Sequence, residues 1–211
     1  MLFDLTTLDP AIGYKLMVST ITPRPIAWVV SQDAGGLLNA APYSFFNAFA
    51  SDPPIIGVGV GRRPSGAAKD TRANIEATRE FVVNLVAEDT AQAMNITAID
   101  FPPDVNELAE AGLTTQASTH VRPPRIAESP VAFECQLVQV VDLGPHSALV
   151  LGRILAIHIR DAMVLDAARG WVDTPALKLL GRMHGTGWYA RTSDLFEMPR
   201  WTRAEWEWQK P

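Results

Sequence analysis

The chain has 211 residues, 47% of them hydrophobic and 19% charged. That is enough apolar side chain for a sizeable core and too little charge for disorder, while a formal charge of −5 at pH 7 makes a nucleic-acid partner the wrong expectation. No run of about 18 apolar residues suits a membrane span, the N-terminus has no basic region leading into an apolar stretch, and a lone cysteine, Cys135, excludes an internal disulfide, so a reduced, cytoplasmic setting without a membrane is expected.

The first twenty residues are mixed and read as a short helix or an irregular arm. IAWVVS (26–31) is rich in β-formers, QDAGG signals a turn, and 37–47 resumes as a second strand, so the pair reads as a hairpin. Ser51-Asp52-Pro53-Pro54 breaks the chain. IIGVGV (55–60) is a third strand whose two glycines imply close approach of another backbone or a ligand. GRRPSG is a loop. The spacing of Ala68, Ile75 and Ala77 predicts a helix over 67–79, capped by Ser65. A fourth strand covers 80–86, a helix covers 88–99 until FPPD stops it, and a short helix over 105–111 ends at Gly112. Residues 131–143 form a long strand, Gly144-Pro145 turns, and 147–159 is its hairpin partner; Cys135 within it reads as a buried small hydrophobe. No repeat or linker divides the chain, which is expected to be one domain over 1–211 with a tryptophan-rich tail from about 199. Six or more strands with few helices predict a mainly β fold, a barrel with helical additions.

Neither GxGxxG after a strand nor GxxxxGK[ST] occurs, so those two nucleotide sites are not supported. Four histidines without a metal-ligand spacing and one cysteine argue against a metal centre. No GxSxG elbow marks a serine hydrolase. His158 reads as a strand residue with a satisfied hydrogen bond.

Two clusters carry chemistry. GRRPSGAAKDTRAN (61–74) gathers Arg62, Arg63, Ser65, Lys69, Thr71 and Asn74 at a loop and the first turn of a helix. Guanidinium, ammonium, hydroxyl and free backbone N–H donors suit a phosphate; a solvated loop with a capped helix is the plain alternative. NAAPYSFFNAFASDPP (39–54) alternates small residues, amides and hydroxyls with aromatics. Asn39, Ser44, Asn47 and Ser51 can serve the carbonyls and nitrogens of a flat heteroaromatic ring; the alternative is an ordinary strand with Tyr43, Phe45 and Phe49 in the core.

The stretch 22–85, from TPRPIAWVV to EFVVNL, resembles the flavin reductase-like family of FMN-binding split barrels, almost without gaps. GPHSALVLGRI is similar to that family's Gly-Asp-His segment, with Pro145 in place of the aspartate, and LLGRMHGTGWYAR is similar to its usual close. The resemblance, over roughly 15–198, implies a six-stranded antiparallel Greek-key split barrel and a homodimer holding one FMN per subunit near the interface. It implies that Arg24, Pro25 and Ile26 lie beside the flavin. Asn39 and the run Ala41, Pro42, Tyr43, Ser44, Phe45, Phe46 and Asn47 would line its ring and ribityl chain, with Ser51 following. Arg63, Lys69, Asp70 and Thr71 would form the phosphate region, and His146 would position a nicotinamide. The implied activity is an FMN-dependent oxidoreductase. NADH or NADPH would be co-substrate, and electrons would pass to free flavin, a partner monooxygenase, a metal chelate or an organic molecule. Arg24 or a backbone N–H is expected at the flavin N1–C2=O edge. Three other readings remain: an FMN-binding electron carrier or flavin store without NAD(P)H turnover, an oxidoreductase for one dedicated organic substrate, and a barrel that has lost its cofactor. The tail after Pro199 has no placed counterpart; it covers a partner subunit or, as the plainer expectation, packs on its own barrel.

Overall fold

The computed structural model describes residues 1–63 and 66–209. In chain order its main elements are α1 (Pro10–Thr20), β1 (Ala27–Gln32), β2 (Leu38–Tyr43), β3 (Phe46–Ser51), β4 (Pro54–Gly61), α2 (Asp70–Thr78) and β5 (Glu80–Leu85), followed by α3 (Ala91–Ile96), α4 (Glu107–Glu110), β6 (Val131–Asp142), β7 (Ser147–Ile159), β8 (Leu180–Arg182), β9 (Tyr189–Arg191) and α5 (Arg203–Gln209). No helix among the described residues is long and apolar enough to cross a membrane.

Seven strands form one antiparallel sheet in the order β2-β1-β5-β6-β7-β4-β3. The two edge strands are neighbours in sequence. Only Ser44 and Phe45 separate β2 from β3, so one stretch of chain leaves the first edge and joins the last, and Gly59 N–H donates to Phe45 O at 2.7 Å across the bend. The sheet is thereby closed into a barrel. This is the expected six-stranded barrel with its second strand bent into two: the 37–47 strand breaks at Ser44 and resumes as far as Ser51. Register shifts at Glu134/Cys135 and Leu137/Gln139 between β6 and β7 bend the long hairpin around the barrel.

The period-2 alternation sorts the core into two layers. Ala27, Val29, Phe81, Val83, Cys135 and Val150 point into the barrel, and Ile75 of α2 packs with them. Trp28, Val30 and Val82, the alternate residues of the same strands, pack on Met94, Leu108, Val121 and Ile126 outside it. Buried on both faces, β1 reads as a continuous apolar run for this reason. Polar groups lock the outer layer: Trp28 Nε1 donates to Thr97 Oγ1 (2.8 Å), and Asn84 takes Ile126 N–H while donating to Trp28 O. Glu134, fully buried, accepts from the N–H groups of Thr119 and His120 (2.7 and 2.6 Å) and meets His158 Nε2 at 2.5 Å. Burial alone would raise its pKa, but these donors outweigh burial and hold the carboxyl below its usual range.

Helix boundaries differ from the sequence expectation for local reasons. The 67–79 helix begins at Asp70, because Arg62 bridges Ala68 and Arg63 N–H donates to Ala67 O, which ties Ala67 and Ala68 back to the residues after β4. The Ser65 cap lies outside the described residues. The helix ends at Arg79, which is left-handed at φ 67°. The 88–99 helix is a 3-10 turn (Glu88–Thr90) running into α3, and the 105–111 helix shortens to α4, with Gly112 left-handed after it.

The glycines of IIGVGV are closely approached by the chain that bends into β3: a Cβ on Gly57 would meet the Phe49 ring, and one on Gly59 would meet Phe45 Cβ at 2.8 Å. Cys135 is buried as expected. The tail does not pack on the barrel: Trp201, Trp206 and Trp208 are exposed, and Trp201 stacks on Trp206.

The tightest contact predicts a stability effect. A Cβ on Gly152 of β7 would lie 2.3 Å from Cζ of Phe81, a ring with no exposed surface. Gly152→Ala is expected to cost about 1–3 kcal/mol, read as a lowered midpoint in urea unfolding; an unchanged midpoint would show that the ring can move.

Candidate functional site

The bend that closes the barrel also positions the candidate site. At the end of β2, Pro42 and Tyr43 line both of two adjoining clefts, and Ser44 lines the second. The first, about 300 Å³, lies between β2, the loop after β4, the start of α2 and the segment around α4. The second, about 210 Å³, lies between the end of β2, α3 and the β8–β9 hairpin.

In the first cleft, Arg62, Arg63 and Lys69 bring positive charge, and Asp70, Asp100 and Glu107 bring negative charge. Arg63 is held by Asp70 at 2.5 Å and by the exposed Asp100 at 3.6 Å. Arg62 reaches Asp142 at 3.7 Å. Lys69 has no ion pair among the described residues; its Nζ lies 6.0 Å from the Tyr43 ring centroid. It occupies the N-cap position of α2 and its side chain does not cap the helix, so the first-turn N–H groups, beside Asp70 and Thr71, remain available to an anion.

A chain of hydrogen bonds crosses the cleft floor. With its amide nitrogen turned towards α4, Asn39 accepts from Thr71 Oγ1 (2.8 Å) and donates to Glu107 Oε1 (3.3 Å); Glu107 Oε2 accepts from Ala40 N–H at 3.0 Å. Burial pushes the Glu107 carboxyl above the usual range, against the pull of that N–H and of Arg63, and Asp70 adds to the rise. Tyr43 is buried, and its hydroxyl, beside Thr71, makes no well-formed hydrogen bond. Burial pushes the phenol to about 12, so it stays a donor at neutral pH.

The sequence-predicted residues divide among three places. Asn39, Ala41, Pro42, Tyr43, Arg63, Lys69, Asp70 and Thr71 come together in the first cleft. Ile26 and Ser44 line the second, together with Pro42 and Tyr43. Arg24, Pro25, Phe46 and Asn47, with Ile26 again, line an apolar groove of about 460 Å³ on the far side of the β8 strand. Phe45 and Phe49 are exposed and outside the core. Phe45, Ser51 and His146 line none of these three. His146 is exposed in the β6–β7 turn, where its carbonyl accepts from Arg62 N–H at 2.9 Å. The Arg24 guanidinium is largely committed to the fold: Nη1 donates to Val18 O and Ile21 O, and Nη2 to Met183 O.

Sequence reasoning missed Glu107, Asn95, Arg182 and Tyr189. Glu107 and Asn95 sit in ordinary helical sequence with no signal. Arg182 and Tyr189 fall inside the closing segment GRMHGTGWYAR, which carried the resemblance without any residue being singled out.

Chemically, the clefts present cationic side chains and hydroxyls, and neither is lined by a histidine or a cysteine among the described residues. Burial raises the Cys135 thiol pKa, and His158 is bound to a buried carboxylate on another face. Among the described residues no group of three or more His, Cys, Asp or Glu side chains is placed to hold a metal.

The comparisons agree with this architecture. A family model described as "Flavin reductase like domain" matches residues 18–174. An uncharacterised protein of Deinococcus radiodurans is 43% identical over 213 residues, covering 98% of this chain and 93% of the relative. Two solved structures superpose with a TM-score of 0.88 at 33% identity: nitrilotriacetate monooxygenase component B from Bacillus cereus, covering 94% of this chain and 98% of the other, and Pseudomonas fluorescens 2-nitrobenzoate 2-nitroreductase NbaA, covering 96% and 98%. Flavoredoxin of Desulfovibrio vulgaris shares the fold at 19% identity, with a TM-score of 0.74 and coverage of 94% and 97%. With a mainly β split-barrel fold and a family match across most of its length, the chain belongs to the flavin reductase-like family.

Proposed function

We propose that the protein is an FMN-dependent oxidoreductase that draws electrons from NADH or NADPH and passes them to a small-molecule acceptor or a partner oxygenase. The observation that carries this reading is the first cleft: Lys69 without an ion pair among the described residues, Arg63, and the uncapped start of α2 at Asp70 and Thr71 line one seat. That donor set fits a phosphate. Lys69, Arg63 and Thr71 would hold it, and the Pro42–Ser44 stretch would carry the rest of the cofactor. FMN, when bound, supplies the redox chemistry, taking a hydride from the nicotinamide and passing electrons on. The protein's part is to bind, orient and exclude water.

Arg63 binds the phosphate by releasing its exposed partner Asp100, whereas Lys69 needs to release nothing. Glu107 opposes the phosphate when ionised and stops doing so when protonated. Its raised pKa keeps the proton to a higher pH than a free glutamate would. Asn39 takes the Thr71 hydroxyl proton and donates to Glu107, so Thr71 would offer the phosphate its backbone N–H in the first turn of α2.

The apolar groove supports the homodimer in the same reading. Phe46, Ala48, Ile154, Ile157 and Leu180 line it, and Ile157 is exposed there, an apolar surface of the kind a second copy covers. We take residues 1–211 as a single domain of this kind.

A second reading, an electron carrier or flavin store, draws support from one observation: His146 lines none of the three clefts, so the group assigned to the nicotinamide stands apart from the seat. Anaerobic addition of NADH and of NADPH to the FMN-loaded protein separates the two. The oxidoreductase bleaches the flavin absorbance within seconds; a carrier stays yellow. If His146 positions the nicotinamide, His146→Ala keeps FMN and slows bleaching, and full retained rate removes that role.

Fluorescence titration with FMN tests the seat itself. Lys69→Ala removes one charge-assisted contact and is expected to weaken affinity about 10- to 100-fold, from roughly 1.5–3 kcal/mol; unchanged affinity would place the phosphate elsewhere. Glu107 gives a pH signature. Its protonated form favours the anion, so its contribution to FMN affinity is present at low pH and is lost as pH rises through its elevated pKa. The phosphate's own second ionisation works in the opposite sense and is common to both proteins. The ratio of Glu107→Gln to wild-type affinity is therefore expected to rise with pH, and a flat ratio would show that Glu107 does not face the phosphate.

A further inference from the structure

Arg182, which lines the second cleft, and Arg24, behind the cleft's Ser44, form a charge arrangement that the phosphate seat does not explain. Arg24 and Arg182 are cross-strand partners: Arg24 N–H donates to Arg182 O at 3.0 Å, and Arg182 N–H to Arg24 O at 2.8 Å. Side chains at such a bridge project from the same face. Neither guanidinium has a carboxylate partner among the described residues. Burial lowers the Arg24 pKa, and the nearby Arg182 charge lowers it further.

The two differ in what they have left to donate. Arg24 is 7% exposed, and Val18 O, Ile21 O and Met183 O, with Ser44 Oγ at 3.4 Å from Nε, occupy nearly all of its N–H groups. It contributes charge from behind Ser44. Arg182 gives one N–H to Trp188 O and one to Gly185 O, each at 2.8 Å, and keeps the remaining three of a guanidinium's five. The Tyr189 ring, 4.9 Å from Cζ to centroid, braces the group. The hydroxyls of Ser44 and Thr186 and the amide of Asn95 line the same cleft. A pair of like charges without a counter-ion, one member carrying free in-plane donors into an open cleft, is complementary to a planar anion.

We propose that the second cleft is an anion seat in which Arg182, backed by Arg24, receives the planar anionic edge of a small molecule, carboxylate-like in charge and geometry. Two sources offer that chemistry: the carboxylate of an aromatic electron acceptor, and the pyrimidine edge of the flavin, which gains negative charge on reduction. The second source rests on the FMN reading above, and the first does not. Arg182 takes the place expected of Arg24 from sequence, because the Arg24 donors are already committed.

The test is calorimetric titration of the apoprotein and of the FMN-loaded protein with benzoate, and with benzamide as its uncharged isostere. Benzoate is expected to bind the apoprotein and benzamide to bind at least tenfold more weakly. Arg182→Gln is expected to lose about tenfold in benzoate affinity. Arg182→Lys, which also gives up the hairpin contacts but keeps the charge, recovers part of the loss. A purely structural role for Arg182 predicts that both variants fail alike. Benzoate binding that survives FMN loading assigns the seat to an acceptor's carboxylate. Binding abolished by FMN, together with a lower midpoint potential of bound FMN in Arg182→Gln, assigns it to the flavin. Benzoate binding the apoprotein no better than benzamide, or equally well to wild type and Arg182→Gln, overturns the proposal. Absence of FMN binding would refute the cofactor reading while leaving the apoprotein result to stand by itself.

Discussion

One stretch of backbone, residues 38–51, forms both edges of the main sheet, and the rest of the molecule depends on that closure. An antiparallel sheet with open edges would leave two rows of unpaired amides and a half-covered core. Bending at Ser44–Phe45 lets the same chain satisfy β1 on one side and β4 on the other. The bend is held by the Phe45 carbonyl on Gly59 N–H, and just before it Pro42 and Tyr43 line both clefts. Closure and site construction are therefore one event, and a mutation that straightens the bend would remove both.

The two clefts differ in electrostatic design. The first holds three cations and three acids, with Arg63 already satisfied by Asp70 and Lys69 left over. Such a seat is near neutral until a multiply charged ligand displaces an acid or accepts the free lysine. The second is lined by one guanidinium, Arg182, and no acid, with the buried Arg24 behind it, its Nε 3.4 Å from Ser44 Oγ. Uncompensated charge of this kind is costly in the fold and is relieved by a ligand of opposite sign. A two-part ligand, or a cofactor with a substrate beside it, fits this division.

Much of the barrel was legible because its signals are local. Alternation in 26–31 and 80–86, the Gly144-Pro145 turn and the length of the 131–159 hairpin all follow from period-2 patterning and turn chemistry. The bend at Ser44 was not legible, since small and aromatic residues continue through it without punctuation. The start of α2 was misjudged because the Arg62–Ala68 bridge, a tertiary pairing, holds back residues that helical propensity would have recruited. The site follows the same rule. Lys69, Thr71, Asn39 and Tyr43 stand in two dense polar clusters and were visible. Glu107 and Asn95 arrive on short helices packed against β2, and Arg182 arrives with the closing hairpin. Their meaning comes from where the fold brings them and not from neighbours in sequence. His146 shows the reverse case: a family motif matched in sequence, on a residue that lies at the rim of the Arg62 loop and faces none of the clefts.

The most direct test of this account is a crystal structure of the protein grown with FMN. The account predicts the phosphate against Lys69, Thr71 and the first turn of α2, with the remainder of the cofactor lying over Pro42–Ser44. A phosphate bound elsewhere, or a cleft that remains without flavin at saturating FMN, would contradict it.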